Sequence, residues 1–435
     1  MEHEEVHIRE EKYLITEGNK KWAFGLMIIG LILAAIGYFT YHPHIEGLSE
    51  HDLHHLSLKR LLSNILVNGY FFFIISVCAA VFIAISQIAN AGWYVAIRRI
   101  PEAMSEYTVP GGIIVIVLTL FGLSTLYHWA HEGIMTKGSA NYDALLAGKS
   151  WYLNKPFYFI RMVLFIGFWI FCAFMIRKYS RNEDEVGGLV NFKKTYALSA
   201  AFVVIFAFTF SMYSWDQIMS IDAHWYSTIF SVYNFATGWV SALTIIYLFT
   251  WYLRGKGYLN IVTDEHQHDL GKFMFAFSVF WTYMWVAQFL LIWYANIPEE
   301  VAYYKERLFG SYQFYFYFVV LVNFCIPFFL FMSRDNKRNR KVGFFVGAAM
   351  LVGHWLDVYL MVIPGTMNLA TDPTDAHPAG IIKVASQGFG LMEIGFVCLF
   401  AGLFIWVTLK ALTKANLYPT KHPYIKESAL HDVGI

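Results

Sequence analysis

Residues 62–88 read LSNILVNGYFFFIISVCAAVFIAISQI, 27 positions without one charged side chain. As an α-helix this run would be about 40 Å long, and about 20 apolar residues already cross the roughly 30 Å hydrocarbon core of a bilayer. In lipid a backbone must satisfy its own hydrogen bonds, so such a run is predicted to be a membrane-spanning helix. The same ruler gives further spans near 22–41, 108–127, 156–177, 194–213, 225–252, 270–293, 312–333, 342–363 and 385–410. The connections between them are too short to hold a soluble domain. The expectation is an all-α integral membrane protein of about ten transmembrane helices, with a segment 1–21, a membrane domain 22–410 and a tail 411–435.

Composition agrees: 57% of the 435 residues are apolar and 14% are charged, where soluble domains carry about one-quarter charged residues. A net charge of +1 argues against a nucleic-acid partner, because phosphate affinity needs clustered, uncompensated Lys and Arg. Cys78, Cys172, Cys325 and Cys398 each stand alone in an apolar run, without the spacing that ligates an iron–sulfur cluster or a c-type haem. No cofactor or metal bound by this chain is expected. Glu2, Glu4, Glu5, Glu10 and Glu11 make the N-terminus unlike the basic start of a cleaved signal, so the first apolar run is expected to remain as a helix. Lys and Arg gather in the N-terminus, in loops 89–107, 178–193, 253–269 and 334–341, and at the C-terminus. By the positive-inside rule these segments, both termini included, are expected in the cytoplasm. Pro110 and Pro156 read as helix starts, Pro364 as a helix end and Pro327 as a kink in the eighth span. Gly343 with Gly347, and Gly388, Gly390 and Gly395, suit close helix packing. Residues 90–107 read as an amphipathic segment lying at the inner interface.

Ionisable groups inside a membrane need a partner or a watery cavity, so they are the best functional signal in such a sequence. His354 and Asp357 stand three apart in the ninth span and share a helix face, a spacing that suits either a proton relay or a structural hydrogen-bonded pair. Glu393 reads as lying several turns deep in the tenth span. Asn234, Gln288 and Asn323 could extend a proton path or serve as interhelical glue. Arg161, near the outer end of the fourth span, is expected to snorkel. His128, His131 and Glu132 end the third span in a cluster suited to a quinone headgroup or a generic interface, without the order of a zinc protease. His42, His44, His51, His54 and His55 show no tidy ligand pattern.

The most specific stretch joins spans five and six: Asp216-Gln217-Ile218-Met219-Ser220-Ile221-Asp222-Ala223-His224-Trp225-Tyr226-Ser227-Thr228. Read by itself it either gates proton exit through Asp216, Asp222 and His224 or caps helices around a tight turn. The pattern resembles the membrane subunits of alternative complex III, a quinol:cytochrome c oxidoreductase. It resembles the ActF type, relatives of the NrfD/polysulfide-reductase membrane-anchor family, and the likeness extends over nearly the whole chain. The resemblance implies two four-helix bundles, spans two to five and six to nine, flanked by spans one and ten, in a bacterial inner membrane. It also implies partners: a paralogous quinol-binding membrane subunit, a periplasmic iron–sulfur subunit, haem-c subunits, small membrane anchors and lipids, with a terminal oxidase as a further associate. Menaquinol, iron–sulfur clusters and haem c would then sit in those partners. In the paralogue the quinol site is associated with a His and an acidic residue toward the outer end of the first bundle. Here the fourth span offers Arg161 and no carboxylate, which leaves His128, His131, Glu132 and Arg161 as quinone-proximal candidates. The implied role is therefore to support or conduct proton translocation without a redox centre of its own. A direct menaquinol-binding subunit and a secondary transporter are the alternatives.

Overall fold

The computed structural model describes residues 10–41, 50–309, 311–367 and 389–432. Among them, ten helices are long and apolar enough to cross a membrane. Span one is Glu17–Phe39, span two His54–Ile88, span three Arg99–Leu126, span four Lys155–Val186 and span five Leu189–Gln217. Span six is Phe230–Gly255, span seven Asp264–Ala295, span eight Gln313–Phe331, span nine Arg340–Met367 and span ten Leu391–Leu412. The chain is thus an all-α, multi-pass membrane protein. Most spans outrun the hydropathy windows because a helix need not stop where the hydrocarbon does; span four continues through nine mostly polar residues to Val186.

Local chemistry sets the ends. The Asn154 side chain caps span four by accepting the Phe157 N–H at 3.0 Å, with Pro156 in the first turn. Gly187 and Gly188, at φ 70° and 72°, reverse the chain into span five, a backbone region that glycine enters without a Cβ clash. Asn296, in the left-handed region at φ 50°, ends span seven. Pro364 does not end span nine as expected: it lies inside the helix, which runs on to Met367. Pro327 does distort span eight, where a π-helical turn at Leu321–Cys325 precedes it.

Spans two to five close one four-helix ring and spans six to nine a second, and spans two, five, six and nine form the seam between them. Spans two, six and nine are the most buried, whereas spans one, five and seven turn most of their surface outward. Span one pairs with span ten, and that pair rests on spans two and three. The pairing depends on glycine: a Cβ at Gly30 or Gly37 would land on the backbone of Leu399 or Met392, and one at Gly395 on the backbone of Ala34. Gly343 and Gly347 likewise admit Tyr247 and Leu248 of span six. Gly388 and the first residues of the expected 385–410 span lie outside the described residues, as do His42, His44 and the side chain of His51.

Ten crossings place both ends of the chain on one face, and the two ends touch there. The Leu417 N–H bonds the Glu11 carbonyl at 2.8 Å, and Ser428 bonds Ala96 and Trp93 at 3.0 and 2.7 Å. Residues 90–107 are not an amphipathic surface segment. They fold inward as short helices whose side chains are nearly all buried. Their cations are neutralised within protein: Arg98 pairs with Glu102 at 2.9 Å and Arg99 with Glu102 and Asp184. The charged residues of this segment thus form an internal ion network under the C-terminal tail.

Gly395→Leu is expected to wedge spans one and ten apart at a cost of about 3 kcal/mol, the upper end of overpacking penalties. Gly25→Leu, where an added Cβ meets nothing within 4 Å, is expected to be neutral. Thermal unfolding of both variants in mild detergent checks this; equal melting temperatures would contradict the glycine-dependent pairing.

Candidate functional site

The second bundle holds a carboxylate in its interior. Asp357 of span nine is 2% exposed and receives hydrogen bonds from three side chains on two other helices. From span six the Tyr233 hydroxyl donates to Oδ1 and the Thr237 hydroxyl to Oδ2 at 2.7 Å. The Trp281 indole N–H of span seven reaches Oδ2 at 3.0 Å. Burial opposes the charged form and three donors favour it, so the cage balances two large effects at one carboxyl. His354, one turn nearer the termini face, does not bond Asp357. Its ring meets Trp281 edge-on at 5.4 Å, and neither ring nitrogen has a hydrogen-bond partner among the described residues. The two residues share a face, as their spacing required, and are linked through Trp281 rather than to each other.

Polar groups continue on both sides of this cage. Toward the termini face, Thr237, Ser241 and Thr244 recur at helical spacing on the side of span six that packs against span nine, and all are fully buried. Ser241 and Thr244 bond carbonyls four residues back at 2.7 and 2.8 Å. Farther along, the Tyr247 hydroxyl donates to the Lys337 carbonyl at 2.8 Å. Toward the far face, the charge of Asp357 is felt by Tyr303 and Tyr304 of the helix Pro298–Leu308, and Gln288 lies against Tyr304. Asn234 instead lies beside Tyr70, which also neighbours Ser214, at the seam between the bundles.

Above Tyr303 sits an acid pair around one arginine. Arg307 Nη2 is 3.5 Å from Asp222, and Nη1 is 3.8 Å from Glu306. The guanidinium is held from below by the Leu360 and Tyr303 carbonyls at 2.9 and 2.6 Å and by the Tyr303 ring, whose centroid is 3.4 Å away. Tyr303 in turn stacks on Trp225 at 3.9 Å. Burial raises the Asp222 carboxyl above its ordinary range against the pull of Arg307. Burial and the Asp222 charge push Glu306 up to about 8. With Lys59 also near Asp222, the two carboxyls around Arg307 favour keeping a proton on Glu306.

The remaining candidates divide cleanly. Arg161 does not snorkel: it is 3% exposed and makes a two-pronged pair with Asp216 at 2.8 and 2.9 Å inside the first bundle. The expectation failed because its partner lies 55 residues away, invisible to a local reading. His128, His131 and Glu132 lie on the far face, whereas Arg161 is buried against Asp216. His224 pairs with Asp143 at 2.5 Å, with the His128 ring 6.2 Å away. Partial burial and the neighbouring imidazoles lower the His128 pKa. Among the described residues no group of three or more His, Cys, Asp or Glu can hold a metal ion. Glu393 is not several turns deep. It stands in the first turn of span ten, bonded to Arg60 and Asn64 at 2.9 and 3.1 Å and to the Gly390 N–H at 2.8 Å.

Tyr233, Thr237, Trp281, Glu306 and Arg307 were missed by sequence reasoning. The hydroxyls at 237, 241 and 244 carried a legible signal, three and four residues apart in an apolar helix. Glu306 and Arg307 carried none, since a charged pair in a connecting segment reads as solvated. No known protein-family model matches the chain, and no curated protein sequence matches it.

Arg161→Met is expected to cost about 3–5 kcal/mol by leaving Asp216 charged and unpaired. The double variant Arg161→Met with Asp216→Asn should recover most of that loss. Detergent denaturation of both reads the difference, and equal losses would contradict the pair. The pH dependence has a definite sign. Glu306 binds its proton more tightly in the folded chain, at about 8 against an ordinary 4.5. Folding therefore takes up a proton between those values: its contribution to stability is full below 4.5 and lost as pH rises through 8. Glu306→Gln is expected to flatten that decline in a melting-temperature series from pH 5 to 9; an unchanged slope would contradict the assignment.

Proposed function

We propose that this chain conducts protons as a membrane subunit of a respiratory quinol:cytochrome c oxidoreductase of the alternative complex III type, without a redox centre of its own. The observation that carries the reading is the Asp357 cage, an ionisable group held between three helices in the interior of a membrane domain. Intramembrane carboxylates are costly, and they recur where protons or ions cross.

The path runs through the second bundle. Both termini lie in the cytoplasm on this reading, since their face carries the excess of Lys and Arg, and the membrane is a bacterial inner membrane. A proton enters along the Thr244, Ser241 and Thr237 face of span six and resides on Asp357, where the Tyr233, Thr237 and Trp281 donors stabilise the anion between transfers. It leaves past Tyr233, Tyr303 and Tyr304 to the Asp222–Glu306 pair, with Arg307 fixing one of the two carboxyls as an anion. Protonation of one member removes the negative charge that held the proton on the other, which favours release from the second. Asp216 has no part in this path because Arg161 neutralises it, and Glu393 is likewise engaged by Arg60. The driving reaction belongs to partners: a paralogous quinol-binding membrane subunit, an iron–sulfur subunit, haem-c subunits and small membrane anchors.

Asp357→Asn in the complex purified from native membranes and reconstituted into vesicles is expected to lower proton translocation at least tenfold while quinol oxidation persists. Unaltered proton movement, or a chain that purifies alone and carries a solute unaided, would overturn the proposal.

A further inference from the structure

Span eight is not a continuous α-helix. Its two α-helical parts, Gln313–Val320 and Ile326–Phe331, flank the π-helical turn Leu321–Cys325, in which the Ile326 N–H bonds the Leu321 carbonyl. Pro327 accounts for the turn: it offers no N–H to the carbonyl four residues earlier, that of Asn323, and its ring crowds that carbonyl. A π-turn rotates the side chains it carries out of α-helical register, and such turns gather at functional sites.

The side chain re-aimed here is Asn323. It is fully buried, and neither atom of its amide has a hydrogen-bond partner among the described residues. It lies on span nine at Gly353, where an added Cβ would fall on the Asn323 amide oxygen. The next residue is His354, equally buried, with no hydrogen-bond partner for either ring nitrogen among the described residues. Two facing helices thus bring four orphaned polar atoms to adjacent positions in the membrane interior, where buried polar groups are nearly always paired. The glycine leaves room for the amide, and the proline aims it.

We propose that Asn323 is a positioning residue for His354: its amide hydrogen-bonds the imidazole, directly or through one water, and fixes which ring nitrogen carries the proton. The ring also makes an edge-on contact with Trp281, whose N–H is committed to Thr237 and Asp357, so the tautomer set by Asn323 faces the carboxylate cage. This assignment rests on the reading that the second bundle conducts protons, which gives the tautomer a use.

The test is nitrogen NMR of the complex carrying ring-labelled histidine, with the His354 signals identified by their loss in His354→Gln. The wild type is expected to show one tautomer, and Asn323→Leu a mixture. Pro327→Ala and Gly353→Ala keep the amide but displace it, so they are expected to mix the tautomers too and carry the test if Asn323→Leu does not fold. A single unchanged tautomer in all the folded variants overturns the assignment. Altered signals together with vesicle proton flux that ignores Asp357→Asn would uphold the pairing and sink the conduction reading alone. Flux that depends on Asp357, with His354 signals indifferent to Asn323, would do the reverse.

Discussion

A carboxylate in the interior of a membrane domain has to be surrounded by donors, and the requirements of Asp357 explain much of the second bundle. Tyr233 and Thr237 fix the rotation of span six about span nine, and Trp281 fixes span seven against both. Span six must then be buried on nearly every side, which suits its small and hydroxyl-bearing residues. Gly343 and Gly347 complete the arrangement by admitting Tyr247 and Leu248. The helix packing and the polar cage are therefore one solution: moving any of the three helices would break a bond to the carboxylate as well as a packed face.

The other deeply buried acids are handled differently. Asp216 and Glu393 each face an arginine at hydrogen-bond distance, so each is held in a buried ion pair. Among the described residues Asp357 receives its hydrogen bonds from neutral donors, so its charge can change without leaving a cation stranded. Asp222 and Glu306 stand between these cases, two acids sharing one arginine. This contrast, more than the presence of acids as such, separates the conducting candidates from the structural ones.

The apolar runs made the ten helices legible because each crossing is decided by about 20 consecutive side chains, a local property. The His354 and Asp357 face was legible for the same reason, through helical spacing. What the sequence hid are pairings between distant segments: Arg161 with Asp216, Arg60 with Glu393, and Asp357 with residues 76, 120 and 124 positions away. Residues 90–107 misled because an ion network inside protein and a charged membrane-surface helix have the same composition, and only the partners Glu183 and Asp184 distinguish them. Pro327 was recognised as a distortion, but the space for the amide it re-aims is left by Gly353 across the helix pair.

The central claim is that Asp357 changes protonation while the protein works. Infrared difference spectroscopy of the complex during quinol oxidation tests it most directly, with the protonated-carboxyl stretch as the readout. A carboxyl band is expected that appears and decays with turnover, is absent in Asp357→Asn, and shifts in Tyr233→Phe as one hydrogen bond is lost. A spectrum in which no turnover-dependent carboxyl band depends on Asp357 would contradict it.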